Sequence, residues 1–139
     1  MQYAGRVISR RMISQKELFD KLTEKGVAFE DADYVISRFL ELRLLDDAAY
    51  AGAVVRHYAA KGYGYSRIRS ELKRHGIPED LFEEALREMP DTTEKIDAFI
   101  RSHLSNPHDR KEVSKVSAAL ARRGFSWDEI NSAIRRYEE

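Results

Sequence analysis

Three glycines, Gly26, Gly76 and Gly124, hold the same place in one pattern that the chain carries three times, over residues 16–39, 67–89 and 115–137. The copies align without a gap. Apolar pairs fall eight and four residues before each glycine: Leu18/Leu22, Ile68/Leu72 and Val116/Leu120. That spacing puts both side chains on one face of a helix. A cation stands immediately before each glycine, as Lys25, His75 or Arg123. Glycine enters the left-handed conformation without a Cβ clash, and a cation in the last turn meets the negative end of the helix dipole, so a helix is predicted to stop three times. An apolar residue follows at once (Val27, Ile77, Phe125), then a short polar entry. A second amphipathic run comes next, reading Ala32/Val35/Ile36/Phe39, Phe82/Ala85/Leu86/Met89 and Ile130/Ala133/Ile134/Tyr137.

One further helical stretch precedes each pair, at residues 3–12, 47–61 and 92–104, with stripes such as Ala51/Val54/Val55/Tyr58 and Ile96/Phe99/Ile100/Leu104. The spacing places Tyr58 partly in the core. Helix starts are marked by capping-box spacing at Ser14 with Glu17, Asp91 with Glu94 and Asp109 with Glu112, while Pro78 suits the first turn of its helix. No segment reads as a strand. The expected fold is therefore all-α: three tandem three-helix repeats, over residues 1–45, 46–90 and 91–139, forming an elongated, curved array. Units of 48 to 50 residues from glycine to glycine are expected to bury little alone and to gain stability by stacking. Such an array offers a long concave face, which suits an extended partner better than a small metabolite.

Among the 139 residues there is no cysteine, which removes disulfides, thiolate chemistry and cysteine-based metal sites and points to a reducing cytosol. No apolar run suits a signal peptide or a membrane span, so a cytoplasmic protein without membrane contact is expected. The 24 basic and 24 acidic residues cancel, which argues against a protein held on DNA mainly by counterion release. The four histidines, His57, His75, His103 and His108, lack the spacing of a metal-binding helix, and neither a metal nor another cofactor is expected. Gly62-Tyr63-Gly64 has two glycines of a nucleotide fingerprint but neither the third nor a preceding strand, and reads as a turn. Asp46 and Asp47 stand where a helix should begin, which favours capping over acid–base work. No nucleophile is paired with a base, and no catalytic residue is assigned: the chain is not expected to be an enzyme.

The positive signal is local charge. From Arg56 to His75 there are six cations (Arg56, Lys61, Arg67, Arg69, Lys73, Arg74) against the single acid Glu71, with Tyr58, Tyr63 and Tyr65 interleaved. A second cluster sets Arg110, Lys111, Lys115, Arg122 and Arg123 against Glu112, and acids gather at Glu79, Asp80, Glu83, Glu84 and Glu88. For any single cation a solvated helix face is the ordinary role, since the long stem covers apolar surface and the head stays wet. Segregated charge in a net-neutral chain is nevertheless what a surface meeting a charged, extended partner needs. The candidate partner- or DNA-binding residues are Arg56, Lys61, Tyr63, Tyr65, Arg67, Arg69, Lys73, Arg74, Lys111, Lys115, Arg122 and Arg123.

Several segments together resemble the bacterial RecX family of RecA recombinase modulators. They are Ser14-x-x-Glu17-Leu18-x-x-Lys21-Leu22, Leu44-Leu45-Asp46-Asp47-x-x-Tyr50-Ala51, Lys61-Gly62-Tyr63-Gly64 with Ile68-x-x-Glu71-Leu72, and Leu120-x-x-Arg123-Gly124-Phe125 followed by Ile130 and Ile134. The resemblance runs over essentially the whole chain. It implies tandem three-helix repeats and a regulatory role in recombination, DNA repair and the SOS response. The implied partner is the RecA filament on single-stranded DNA, bound in its helical groove, with damping of ATP hydrolysis, strand exchange and the coprotease activity that cleaves LexA. It also implies weak direct binding of single- or double-stranded DNA, and a monomer is expected. The alternatives are a nonspecific nucleic-acid-binding helical repeat protein that uses the same clusters without RecA, and a structural helical adaptor for another protein.

Overall fold

The computed structural model describes residues 1–139 and contains only helices, turns and connecting loops. Helices α1 (Gln2–Arg10), α2 (Gln15–Glu24) and α3 (Phe29–Glu41) form a first unit. The second comprises α4 (Asp47–Ala60), α5 (Tyr65–Arg74), a 3-10 turn (Glu79–Leu81) and α6 (Phe82–Leu86). The third holds α7 (Thr93–His103), α8 (Arg110–Arg122) and α9 (Trp127–Glu138). Helices α2, α5 and α8 stop where the glycines predict, with φ of +90°, +78° and +99° at Gly26, Gly76 and Gly124.

The apolar stripes close three separate cores rather than one. Leu18 and Leu22 of α2 meet Val35, Ile36 and Phe39 of α3; Ile68 and Leu72 of α5 meet Val54, Val55 and Phe82; Leu120 of α8 meets Ile96, Ile100 and Ile130. Each unit thus buries nine to eleven residues of its own, which corrects the expectation that a unit buries little alone. The accessible surface is 9066 Å², against roughly 7400 Å² for a compact monomer of this mass. The array is elongated.

Two polar seams join the units, and both are built end to end. At the second seam, the backbone N–H groups of Gly64 and Ser66, at the start of α5, donate to the carbonyls of Arg123 (2.7 Å) and Gly124 (3.1 Å), at the end of α8. At the first, the Ser14 hydroxyl at the start of α2 donates to the His75 carbonyl at the end of α5 (2.7 Å). The buried Asp47 carboxylate accepts from the Gln15 N–H (3.0 Å). At the second seam, orphan donors of one helix start therefore satisfy orphan carbonyls of another helix end, while at the first a side-chain hydroxyl and a carboxylate take those parts; the dipoles of α8, α5 and α2 run in the same sense through the seams.

Several local starts differ from the predicted ones. Ser14 and Glu17 form the full capping box, and so do Ser126 and Glu129, a start that the sequence pattern did not single out. Asp91 does not cap with Glu94: its carboxylate accepts from the Thr93 N–H and hydroxyl in a tight local turn, Thr92 is the N-cap, and Glu94 pairs with Arg101. Asp109 accepts from the Lys111 and Glu112 N–H groups, but the Glu112 carboxylate turns away to the Ser105 and Asn106 N–H groups. Pro78 precedes the 3-10 turn rather than opening an α-helix, so the third helix of the middle unit is cut to five residues. Helix α1 stops at Arg10, because Arg11 is extended and carries the chain to the buried Ile13 and the Ser14 cap.

Candidate partner-binding face

The predicted site residues carried by α5 divide over two sides of that helix. On one side Arg67 and Arg74 bracket the buried Glu71: Arg67 Nε lies 3.2 Å and Arg74 Nη2 2.8 Å from its carboxylate oxygens. Burial pushes the Glu71 carboxyl up, but hydrogen bonds from Arg74, Arg67 and Tyr58 outweigh it and hold it below the usual glutamate range. The Arg67 guanidinium also lies 4.6 Å from the centre of the half-buried Tyr63 ring, and Arg74 donates to the Tyr58 hydroxyl. These two arginines are thus engaged within the middle unit, pairing along α5 and reaching Tyr58 and Tyr63.

The opposite side of α5 is open. Arg69 and Lys73 line a cavity of about 770 Å³ at the first seam, with Ser66, Ser70 and Lys16 of the neighbouring unit. Arg69 pairs with the exposed Glu79 (3.0 Å) and covers the Phe82 ring (5.1 Å). Tyr65 is 52% exposed at the start of the same helix. Arg56 is tied to Glu88 (3.3 Å), and the Lys61 ammonium lies over the Tyr58 ring, so neither joins this face through a shared partner.

In the third unit Lys111 and Lys115 line a shallow cavity of about 600 Å³ along α8. Counting back from Gly124 and Gly76, Lys115, Ala119 and Arg122 occupy the places of Arg67, Glu71 and Arg74. Alanine replaces the carboxylate, so Lys115 and Arg122 keep their charge toward solvent. Arg123 is different: its guanidinium covers Phe99 (4.9 Å) and its carbonyl belongs to the second seam.

Sequence reasoning missed Lys16, whose place in the cavity arises only from the seam, and it missed the polar cluster beside it. There the His75 Nδ1 sits 3.0 Å from the Tyr50 hydroxyl and 3.4 Å from Glu17, while its buried Nε2 lies 3.7 Å from Glu71 without a hydrogen bond. Burial and then the Glu17 carboxylate push the Tyr50 hydroxyl up to about 12. Burial likewise raises the Asp47 carboxyl, against the opposing hydrogen bond from Gln15. No group of three or more histidine, aspartate or glutamate side chains is placed to hold a metal ion, and no helix is long and apolar enough to cross a membrane.

Comparison with known proteins gives one answer for all three units. Residues 1–39, 46–86 and 101–134 match, in turn, the first, second and third three-helix domains of RecX. The regulatory protein RecX of Vibrio campbellii is 34% identical over 94% of this chain and 86% of its own length. That of Xanthomonas axonopodis pv. citri is 36% identical over 97% of this chain and 85% of its own. The crystal structure of RecX from Lactobacillus salivarius superposes with a TM-score of 0.86 at 26% identity, covering 99% of this chain and 93% of that one. These relatives are named as regulatory proteins, not enzymes. Three consecutive domain matches and relatives similar over nearly their full length place the chain in the RecX family.

Proposed function

We propose that the protein binds the RecA filament on single-stranded DNA and damps its ATP hydrolysis, strand exchange and promotion of LexA cleavage. Family membership supports a RecA-directed role, and the observation that carries the choice of surface is the seam cavity, where Lys16, Arg69 and Lys73 stand together across two units. An extended partner with acidic side chains or phosphates meets that face with complementary charge. Lys111, Lys115 and Arg122 add a second area of attachment, and the exposed Tyr65 supplies an aromatic anchor. Binding across successive RecA protomers opposes the conformational cycling that hydrolysis and filament growth require. The protein acts in the cytoplasm as a monomer, without cofactor or catalysis.

The test is RecA ATPase on single-stranded DNA with this protein titrated in. Substoichiometric inhibition is expected. The double variant Arg69→Glu/Lys73→Glu should need about tenfold more protein, equivalent to roughly 1.4 kcal/mol of binding free energy, with an unchanged thermal melt. Unchanged inhibition by the variant removes this face from the proposal. Strong, salt-sensitive DNA binding with no effect on RecA would instead favour a nonspecific nucleic-acid-binding protein.

A further inference from the structure

Two large aromatic side chains stand at helix starts that have no local use for them. Phe29 and Trp127 are the first residues of α3 and α9. The residue before each of them is the cap, and the apolar stripe of each helix begins further on, so neither ring serves the helix start or the core. Phe29 is 69% and Trp127 59% exposed, whereas the other five phenylalanines are buried or half-buried. Covering such rings with a partner removes apolar area that the isolated chain leaves in water.

The two rings occupy one place in the repeat, three residues after Gly26 and Gly124, and in the middle unit that place belongs to Glu79. Seven residues before the glycines stand Phe19, Arg69 and Ser117. In the second unit these two places form the Arg69–Glu79 ion pair, and both residues line the seam cavity. In the first unit they form an edge-on aromatic pair, Phe19 with Phe29, whose ring centres lie 5.1 Å apart.

The seams carry this correspondence along the array. Ser14 bonds to His75 at the first seam and Gly64 to Arg123 at the second. Those are the same two places, twelve residues and one residue before the glycine. Successive units are therefore related by a similar step, and the places of Phe29, Glu79 and Trp127 follow one strip. On α2, Phe19 lies one turn beyond Lys16, itself a wall of the seam cavity. The charged face used in the RecA reading thus has an exposed aromatic ring in the unit on either side.

The groups beside the rings select the partner. Phe29 is followed by the exposed Glu30 and Asp31, and Trp127 by the exposed Asp128. Carboxylates so close repel a phosphate backbone, which disfavours stacking of either ring on the bases of a nucleic acid. A ring with an acidic rim instead fits an apolar pocket edged by cations on a protein surface. Two such anchors held in fixed register fit a partner built of repeated subunits. We infer that Phe29 and Trp127 are the anchors by which the outer units dock on RecA protomers, meeting protein rather than DNA, an inference that rests on the RecA reading.

The experiment titrates the full chain into RecA ATPase on single-stranded DNA at low and at high salt, with Phe29→Ala, Trp127→Ala and the double variant. Loss of each ring should raise the half-inhibitory concentration about tenfold. The factor should be the same at both salts and the thermal melt unchanged. The loss in Arg69→Glu/Lys73→Glu should instead shrink as salt screens it. A second measurement keeps the surface intact: 5-hydroxytryptophan replaces Trp127, the single tryptophan of the chain, and is excited where ordinary tryptophan does not absorb. RecA filaments should shield it from acrylamide, and the same oligonucleotide alone should not. Full inhibition by the double alanine variant, or a residue 127 that stays quenchable in the inhibited complex, overturns this inference while the RecA reading stands. Absence of inhibition by the unmodified protein overturns both. Shielding by the oligonucleotide alone assigns the ring to nucleic acid, and shielding that grows with the protein's own concentration assigns it to a second copy; either overturns the inference.

Discussion

Substituting alanine at Gly26 and at Gly124 should give very different losses, although the two glycines close equivalent helices with nearly the same φ, +90° and +99°. Both variants force a Cβ onto left-handed backbone, at about 1–2 kcal/mol. At Gly26 the new atom meets nothing within 4 Å, so the loss ends there. At Gly124 it would stand 2.4 Å from the Arg67 nitrogen and 2.6 Å from its Cβ. The near atom is backbone, so relief requires the start of α5 to move by about an ångström. That movement breaks the Gly64–Arg123 and Ser66–Gly124 hydrogen bonds, each with a net value of about 0.5–1.5 kcal/mol. The total for Gly124→Ala is then about 2–5 kcal/mol. Urea unfolding followed by circular dichroism ranks the variants, and hydrogen exchange at the Gly64 and Ser66 amides reports the seam itself, which matters because an array of units need not unfold in one step. Faster exchange at those amides is expected in Gly124→Ala and not in Gly26→Ala. Equal losses, or unchanged seam exchange, would refute the end-to-end account.

Two buried carboxyls should respond to pH with opposite sign. The folded value of Glu71 is depressed, so its contribution is present above the ordinary glutamate range and disappears as pH falls through the folded value. Glu71→Gln should therefore cost most near neutrality and progressively less in acid; a pH-independent loss in denaturation curves would refute this. Asp47 is raised, so its contribution is present below the ordinary aspartate range and disappears as pH rises through the folded value. Asp47→Asn retains an acceptor for the Gln15 N–H and should be neutral or stabilising near pH 7, with no effect in acid; a loss confined to neutral pH would contradict it. Ala119→Glu should give the third unit the carboxylate that Glu71 supplies to the second, adding about 0.2–0.5 kcal/mol for each helical pair with Lys115 and Arg122. If those cations meet RecA, the same change should weaken inhibition in the ATPase assay, and full inhibition would remove them from the interface.

The helix ends are legible in the sequence because their causes are local. A glycine, the cation before it and the apolar pairs upstream lie within eight residues, and the backbone there has one inexpensive way to stop. The seams are not legible, since a glycine that only ends a helix and a glycine that also admits another helix start look alike in sequence. Gly26 and Gly124 differ only in what packs against them. The charge clusters mislead in the same way. Six cations against one acid read as surplus, yet that one acid, Glu71, is buried and holds two of them. On α8 the equivalent cations do stay free for solvent, although the reason, Ala119 in the place of Glu71, becomes meaningful only once the middle unit shows what a carboxylate there does.

The seams also bear on how a partner meets the array. Each unit has its own apolar core; what the seams add is a fixed register. Backbone hydrogen bonds from the start of α5 to the end of α8 set one pair of units, and the Ser14 hydroxyl and Asp47 carboxylate set the other, at the start of α2 and the end of α5. The register brings Lys16 of one unit beside Arg69 and Lys73 of the next, a juxtaposition that neither unit presents alone. Within it, equivalent positions are spent differently. The middle helix of the second unit engages two arginines within that unit, and that of the third leaves its cations to solvent. In the first unit, the places of Arg67, Glu71 and Arg74 carry Glu17, Lys21 and Glu24, with the signs reversed. On the proposed reading, a surface that changes charge from unit to unit at a fixed spacing should discriminate between extended partners by the spacing of their own charges. Loosening a seam should therefore reduce binding to an extended partner while each unit stays folded.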